Sequence, residues 1–337
     1  MHGSRRPAAD IIEILMSNQP LLSTRPLGRS GLHLTTIGLG TWAMGGSGWT
    51  FGWGEQDDAE SVRAIRAGLD AGINWIDTAA VYGLGRAERI VGQAIAGRRD
   101  EVIVATKCGR VWDESRTIGK RLCRESVVAE VDASLARLGI DVIDLYQIHW
   151  PEPDEEIEEG WATVADLIRI GKVRFGGVCN FSVSQLERAQ RIHPIASLQP
   201  PYSMLKRDIE ADILPWCEAH GVGIVAYSPM QAGLLTGAFT RERAAALGAD
   251  DWRSRNPFFQ EPMLSANLRV VDGLRPIAAR LGITVAELAL AWVLRLPAVT
   301  SAIAGARRPA QIQETVQAGA VQLPPDVIAE IETLLAT

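Results

Sequence analysis

The sequence predicts an α/β fold: a (β/α)8 TIM barrel with an N-terminal β-hairpin and long loops at the C-terminal face. Strand-like and helix-like segments alternate almost to the end of the 337 residues, giving eight strand–helix units. The strand segments are nearly continuous apolar runs, which is typical of parallel strands that are buried on both faces. A barrel of this kind needs about 250 residues, with insertions beyond that, so the length fits the fold.

Short apolar runs bounded by Gly, Asp or Asn predict the strands. A hairpin is predicted over residues 22–34 because apolar residues flank a Gly-Arg-Ser-Gly turn at 28–31. The eight barrel strands are predicted at 36–40, 73–77, 102–107, 142–149, 173–178, 196–199, 223–227 and 299–304.

Apolar residues that recur at helical spacing predict the helices between these strands. Val127, Val131 and Leu138 share one face of the helix after the third strand, and Ser182 is an N-cap for a later helix. The other helices are predicted at 58–71, 87–95, 160–170, 209–220, 264–281, 285–296, 309–318 and 325–336.

The absence of a Pro- or Ser-rich linker predicts one domain over residues 21–337. Residues 1–20 are predicted to be a poorly ordered leader. The segment 228–262 is too long for an ordinary connection, and we expect a lid over a ligand rather than a disordered insert. A glycine-rich stretch at 45–54, which carries Trp49 and Trp53, is predicted to form another loop at the rim of the barrel.

Composition excludes several classes of partner. The net charge is −6, and no basic stripe indicates binding to nucleic acid. No apolar run reaches the roughly 18 to 20 residues of a membrane span, so no membrane partner is expected. The four cysteines form no Cys-x-x-Cys pair and are interpreted as reduced thiols of a cytoplasmic protein. The oligomeric state is expected to be a monomer or a weak homo-oligomer.

Three charged or titratable residues end consecutive predicted strands: Asp77, Lys107 and His149, with Tyr82 in the loop after Asp77. Neighbouring parallel strands of a barrel end at the same face, so the four side chains are expected to converge there. A free phenol has a pKa of about 10, and a nearby ammonium lowers that pKa. Tyr82 is therefore the predicted proton donor, Lys107 its activator, Asp77 the partner of Lys107, and His149 a hydrogen-bond donor to a carbonyl oxygen.

Each of these residues also has a structural interpretation when it is taken alone. A strand-end Asp often caps the next helix, a loop Tyr usually packs, and a single His is often structural. The occurrence of all four at, or shortly after, the ends of consecutive strands favours the catalytic interpretation. A metal-dependent hydrolase is disfavoured because His149 is the one histidine at a strand end, and no metal site is predicted.

Several stretches of this sequence resemble the aldo-keto reductase family. They lie at residues 38–42, 76–83, 105–107, 143–150, 177–181 and 233–237, and the stretch 305–309 resembles the bacterial branch of general-stress and general aldehyde reductases. The resemblance implies that Asp77, Tyr82, Lys107 and His149 are the catalytic tetrad, and that the reaction is a reversible, NADP(H)-dependent reduction of aldehydes or ketones.

The cofactor site is expected at the loops after the last strands, where barrels bind phosphate against a helix N-terminus. Arg307 and Arg308 supply charge there for a phosphate, which the resemblance implies is the 2′-phosphate of NADP, while Tyr227 can stack on nicotinamide and Asn180 and Gln199 can hold its amide. Together with the positions that the resemblance implies, the expected cofactor-binding residues are Thr41, Trp42, Asp77, Cys179, Asn180, Gln199, Tyr227, Ser228, Gln231, Leu234, Gly305, Arg307, Arg308, Gln311 and Glu314.

The substrate pocket is expected to be aromatic: the resemblance implies that Trp42 and Trp150 lie beside the reacting carbonyl, and Trp112 is expected to join them. Such a pocket favours apolar or aromatic carbonyl compounds, and small sugars are an alternative. The other function considered is a regulatory, NADP-binding module that resembles potassium-channel beta subunits. Turnover of a nitrobenzaldehyde with NADPH discriminates between the two.

Overall fold

The computed structural model describes residues 22–336, and eight parallel strands in it close a barrel. Around the barrel, each strand pairs in parallel with the next, and the last strand pairs back onto the first through Ala302–Gly305 and Ile37–Gly40. The predicted fold is therefore confirmed. The barrel strands are β3 (Ile37–Gly40), β4 (Trp75–Asp77), β5 (Ile103–Cys108), β8 (Ile143–Ile148), β9 (Val173–Cys179), β10 (Ser197–Gln199), β11 (Gly223–Ala226) and β12 (Val299–Gly305).

The predicted N-terminal hairpin covers the end of the barrel at which the strands begin. Strands β1 (Thr24–Pro26) and β2 (His33–Thr35) pair antiparallel. Leu27 and Leu34 are fully buried and pack with Trp75 and Ile303 of the barrel. Burial of these side chains closes this end, so a ligand reaches the barrel from the opposite, C-terminal end.

Helices surround the barrel close to the predicted positions. Ser182 accepts a hydrogen bond from the Gln185 amide and caps its helix, as the sequence predicts. The helices are Asp58–Asp70, Arg86–Ile95, Arg124–Leu138, Ile157–Arg169, Val183–Gln190, Ile213–His220, Arg241–Ala245, Met263–Leu281, Val285–Leu294, Pro309–Val316 and Pro325–Leu335.

Within residues 22–336, no one helix meets the two requirements for a membrane span, which are sufficient length and sufficient hydropathy. The pair Met263–Leu281 and Val285–Leu294 meets them only when taken together, with an 89° bend between its members.

The long segment after β11 folds into short helical turns and packs on the rim loop. The Trp252 amide donates to the Gly52 carbonyl at 2.9 Å, and Arg255 donates to the Thr50 carbonyl at 2.7 Å. An isolated bridge joins Trp53 to Asp251. The segment therefore has defined structure, and we call residues 228–262 the lid and residues 45–57 the rim loop.

The sequence analysis predicted neither the short helix Arg241–Ala245 in the lid nor a hairpin at the C-terminal mouth. Strands β6 (Arg110–Trp112) and β7 (Ile118–Lys120) form an antiparallel hairpin directly after β5, at the C-terminal mouth. Three-residue strands give too short a pattern of alternation to be recognised. The predicted leader at residues 1–20 lies outside the described residues.

Candidate active site

Lys107 links the carboxylate of Asp77 to the phenol of Tyr82 at the mouth of the barrel. Its Nζ lies 2.7 Å from Asp77 Oδ2 and 2.9 Å from Oδ1, and it donates to the Thr78 carbonyl at 2.9 Å. Tyr82 OH is 3.4 Å from the same nitrogen. The Lys107 side chain is 0% exposed, and a buried ammonium is tolerated only when such partners replace water.

His149 joins this group from the end of β8. Its amide donates to the Cys108 carbonyl at 3.0 Å, which holds the ends of β5 and β8 together. Its ring meets the Tyr82 ring edge to face, with centroids 5.8 Å apart. The structure therefore brings all four predicted catalytic side chains to one place.

The pKa of Tyr82 shifts in the direction opposite to the sequence expectation. Burial raises the pKa of Tyr82 to about 12, although the Lys107 ammonium acts in the opposite direction. The expectation that Lys107 brings this pKa below its ordinary value is wrong for the protein as described, because the loss of hydration is the larger effect. The phenol is consequently protonated at neutral pH, which is the form that a proton donor requires.

Of the two basic side chains in the site, Lys107 is charged and His149 is neutral. Burial lowers the pKa of Lys107, but the Asp77 carboxylate, Tyr82 and Cys179 together outweigh that effect, and the net pKa is above its ordinary value. Burial, together with the charges of Lys107 and Arg110, holds the pKa of His149 well below its usual range. At neutral pH the site therefore contains an ammonium and a neutral imidazole, which retains one N–H donor.

Two glutamines extend the network around Asp77 inside the barrel. Gln199 Nε2 donates to Asp77 Oδ1 at 2.8 Å, and Gln147 Nε2 lies 3.5 Å from the same oxygen. The side chain of Gln199, which was expected to hold a carboxamide, is thus directed at Asp77. Gln147 was missed by the sequence analysis, although it lies two residues before His149 and therefore on the same face of its strand.

Thr41 and Cys179 also take positions in the walls of this site. The amide and hydroxyl of Thr41 lie 3.0 Å and 3.1 Å from the Asp77 carbonyl, so Thr41 fixes the end of β4. Cys179 Sγ lies 3.7 Å from Gln147 Oε1, and burial raises the pKa of the Cys179 thiol. Thr41 and Cys179 thus contact residues at the strand ends on which a cofactor would lie.

Asn180 and Tyr227 form a preorganised polar pair beside the tetrad. Asn180 has φ 62°, and its Nδ2 donates to the His149 carbonyl at 3.0 Å. The Tyr227 hydroxyl donates to Asn180 Oδ1 at 3.0 Å. A left-handed non-glycine residue held in this way indicates a position constrained for binding. An amide next to an aromatic ring fits a nicotinamide.

The other end of the expected cofactor site is a cleft next to the helix Pro309–Val316. The cleft has a volume of about 590 Å³ and is lined by Glu55, Gln56, Asp57, Glu60, Arg243, Arg307, Arg308 and Gln311. Gln311 Oε1 accepts from the amides of Arg307 and Arg308 at 2.8 Å and 3.2 Å. Gly305 and Glu314 are exposed, Gly305 at the end of β12 and Glu314 on this helix.

The two arginines of this cleft are not equivalent. Arg307 Nε donates to Gln56 Oε1 at 2.6 Å, and its other nitrogens donate to the carbonyls of Trp53 and Glu55. Arg307 therefore anchors the rim loop. Arg308 is exposed, and within residues 22–336 its side chain makes no ion pair, which leaves its charge available to a phosphate.

The predicted lid residues divide into backbone and side-chain roles. Ser228 and Gln231 have left-handed φ angles of 53° and 46°, and Gln231 Oε1 accepts from Ser203 at 3.0 Å. Leu234 is 0% exposed and packs against Phe239 and Phe259 in the interior of the lid. The side chain of Leu234 is therefore part of the lid core, and its backbone is the part that can face a ligand.

An aromatic wall covers Tyr82. Trp42 stacks on Trp252 of the lid with centroids 4.9 Å apart, and it lies 6.3 Å from Tyr82 at an interplanar angle of 22°. Trp53 of the rim loop meets Trp42 edge to face at 5.4 Å. The sequence analysis did not include Trp252 among the pocket residues, so its place over Tyr82 is a finding of the structure.

The other two predicted pocket tryptophans differ in position. Trp150 is 38% exposed at the rim, directly after His149. Trp112 stacks with the Arg137 guanidinium at 5.7 Å, whereas Ile118 of its partner strand packs on the cluster that contains Tyr82. Ile118 therefore contacts the cluster around Tyr82, whereas the ring contact of Trp112 is with Arg137. Within residues 22–336, no group of His, Cys, Asp or Glu side chains is suited to hold a metal ion.

Comparison with known proteins gives a consistent set of relatives. A sequence model described as the aldo/keto reductase family matches residues 36–336. Aldo-keto reductase YhdN of Bacillus subtilis is 40% identical, covering 84% of this chain and 85% of its own length. The NADH-specific methylglyoxal reductase of Escherichia coli is 37% identical over 87% of this chain and 92% of its own.

A probable voltage-gated potassium channel subunit beta from Arabidopsis thaliana is 34% identical, covering 92% of this chain and 95% of its own length. Among solved structures, the glycerol dehydrogenase AKR11B4 from Gluconobacter oxydans superposes with a TM-score of 0.83 at 38% identity, covering 93% of this chain and 94% of that one.

Proposed function

This chain belongs to the aldo/keto reductase family, an oxidoreductase family acting on aldehydes and ketones, and we propose that it reduces such carbonyls with NADPH as a reversible reaction. The observation that carries the proposal is the buried contact of Asp77, Lys107 and Tyr82, with 2.7 Å and 3.4 Å separating Lys107 Nζ from Asp77 and from the phenol.

Tyr82 supplies the proton in the proposed mechanism. The phenol is neutral at physiological pH because burial raises its pKa to about 12. As the carbonyl oxygen gains negative charge, Tyr82 donates its proton to that oxygen, and Lys107 stabilises the phenolate that remains. Asp77 keeps Lys107 charged and in place. The neutral His149 donates a second hydrogen bond to the same oxygen and orients it.

The residues of this chain fit a nicotinamide dinucleotide, which would supply the hydride when bound. Asn180 would hold the carboxamide and Tyr227 would lie against the ring, since their mutual hydrogen bond already fixes both. Arg308, at the start of the helix Pro309–Val316, would hold the phosphate end. The backbone of Ser228, Gln231 and Leu234 would cover the cofactor from the lid.

Measuring turnover tests this proposal directly. Purified protein is expected to oxidise NADPH in the presence of 4-nitrobenzaldehyde and to convert the aldehyde to the alcohol. Tight NADPH binding without turnover across a panel of carbonyls would instead support a regulatory module like the channel beta subunits. All four catalytic side chains are present and in contact, which favours an enzyme.

The preference for NADPH rests on Arg308. The similar protein from Escherichia coli is named as NADH-specific, so cofactor choice differs among similar chains. Replacing Arg308 with Gln is expected to weaken NADPH binding about tenfold, because a charge-assisted contact to phosphate is lost, and to leave NADH binding nearly unchanged. Fluorescence titration of both cofactors measures the two dissociation constants.

Arg307→Gln is the matched comparison for this variant. Arg307 holds the rim loop through Gln56 and two backbone carbonyls. Its replacement is therefore expected to raise the dissociation constants of NADPH and NADH by a similar factor. If Arg308→Gln weakened the binding of NADPH and of NADH by the same factor, Arg308 would not be the ligand of the 2′-phosphate.

We also propose a cytoplasmic location and a monomeric or weakly associating protein. All four cysteines are free, and three of them are buried inside the barrel and its helices. Free thiols of this kind are typical of a reducing compartment.

A further inference from the structure

Arg110 is a partly buried arginine near the catalytic histidine, and one nitrogen of its guanidinium is an enclosed donor without a partner. It is the first residue of the hairpin strand β6, and its side chain is 13% exposed. Nη2 donates to Glu152 Oε2 at 2.6 Å. Nη1 is enclosed by protein and has no hydrogen-bond partner within the part of the chain that the structure describes. A buried charged donor without a partner is costly, so its retention calls for an explanation.

The backbone places Arg110 on the His149 side of the barrel mouth. The His149 amide bonds to the Cys108 carbonyl at 3.0 Å, so the two chain segments leave the barrel side by side. Arg110 follows Cys108 by two residues, and Trp150 follows His149 directly. The guanidinium carbon lies 5.7 Å from the centroid of the Trp150 ring. The charge of Arg110 also acts on His149, whose pKa it lowers after the larger effects of burial and of Lys107.

The local charges leave an excess of positive charge at this side of the mouth. Glu152 is shared, since Lys120 Nζ approaches the same Oε2 at 3.0 Å. Lys120 is 57% exposed and is therefore well hydrated, in contrast to Arg110. One carboxylate thus faces two cations, and the enclosed Nη1 of Arg110 remains without a counterpart.

We infer that Arg110 binds a carboxylate carried by the carbonyl substrate, so that the substrate class is oxo acids, in which the reacting aldehyde or ketone and a carboxylate belong to one small molecule. The inference rests on the proposed reductase function and names the substrate of the same site. A guanidinium fits a carboxylate in geometry and charge. The aromatic wall of Trp42 and Trp252 covers Tyr82, so the carboxylate end of the substrate is directed toward Arg110. Because Nη1 is enclosed in the substrate-free structure, the half-exposed Trp150 ring beside the guanidinium must move aside when the carboxylate binds.

Pairs of substrates that differ only in their carboxylate test this inference. The pairs are 4-formylbenzoate with its methyl ester, and 4-oxobutanoate with butanal. For the wild-type protein, kcat/KM is expected to be at least about tenfold higher for the carboxylate of one or both pairs. This preference is expected to fall as ionic strength rises, because it depends on charge.

Variants of Arg110 and its neighbour assign the preference to one residue. Arg110→Met is expected to reduce the ratio of the two kcat/KM values about tenfold or more, chiefly through KM, and Arg110→Lys is expected to restore part of it. Lys120→Met, from the same hairpin, removes the cation that shares Glu152 and leaves the Arg110 guanidinium in place, so it is expected to lower the ratio by less than Arg110→Met does. Thermal unfolding and NADPH titration of each variant show whether the fold and cofactor site are intact.

Two results would overturn the inference. One is a wild-type protein that shows no preference for the carboxylate in either pair. The other is an Arg110→Met variant that loses activity by the same factor on both members of a pair, which would make Arg110 a structural or positioning residue. Turnover of the methyl ester and of butanal by the wild-type protein tests the reductase function separately, so failure of the two proposals can be distinguished.

Discussion

Replacing Tyr82 with Phe is expected to lower kcat for carbonyl reduction by a factor on the order of 10² to 10⁴. The substitution removes the hydroxyl that lies 3.4 Å from Lys107 Nζ and retains the ring that packs against Trp42 and His149. Because the cofactor is expected to contact other residues, the dissociation constant for NADPH should change little. Stopped-flow oxidation of NADPH gives the rate, and fluorescence titration gives the binding constant.

Tyr146→Phe is the matched control for this experiment. Tyr146 is a fully buried tyrosine of the barrel strand β8, outside the proposed catalytic group. Removal of its hydroxyl is expected to leave kcat within about twofold of the wild-type value. A Tyr82→Phe protein with wild-type turnover would show that another group supplies the proton.

Replacing Lys107 with Met is expected to remove both activity and stability. Lys107 is the salt-bridge partner of Asp77, which is itself buried, with a side chain 5% exposed. Loss of one partner of a buried ion pair leaves the other charge uncompensated, which typically costs about 3 to 5 kcal/mol. Urea unfolding at pH 7.5 measures the free energy of unfolding, and NADPH oxidation measures the activity.

The double variant Asp77→Asn/Lys107→Met separates the two effects. Because it removes both charges, it is expected to recover part of the stability that Lys107→Met loses, and to remain inactive. Equal stability of Lys107→Met and the wild-type protein would mean that Asp77 is not held as a buried charge by Lys107.

The sequence was sufficient to place Asp77, Lys107 and His149, because parallel strands of a barrel end at one face regardless of the details of packing. Tyr82 lies at a fixed, short distance beyond β4, so its position could be anticipated as well. The bounds of the hairpin and of the helices could be predicted for a different reason. Each of these elements has its own pattern of apolar residues or a capping residue, such as Ser182.

Properties that depend on packing could not be predicted in this way. The pKa of Tyr82 is raised rather than lowered because burial outweighs Lys107, and the degree of burial is a tertiary property. Trp252 is 210 residues from Trp42 in the chain, so their stacking depends on how the lid folds. Arg307 was expected to bind phosphate together with Arg308, but it is engaged by backbone carbonyls of the rim loop.

The pH dependence of carbonyl reduction tests the central claim most directly, since it reports the acidity of the proton donor. With a pKa of about 12 for Tyr82, the rate constant for NADPH oxidation under single-turnover conditions is expected to stay constant from about pH 6 to pH 9. A rate that instead falls through a pKa between about 6 and 8 would assign the proton to a group of ordinary histidine-like acidity and would contradict the role given to Tyr82.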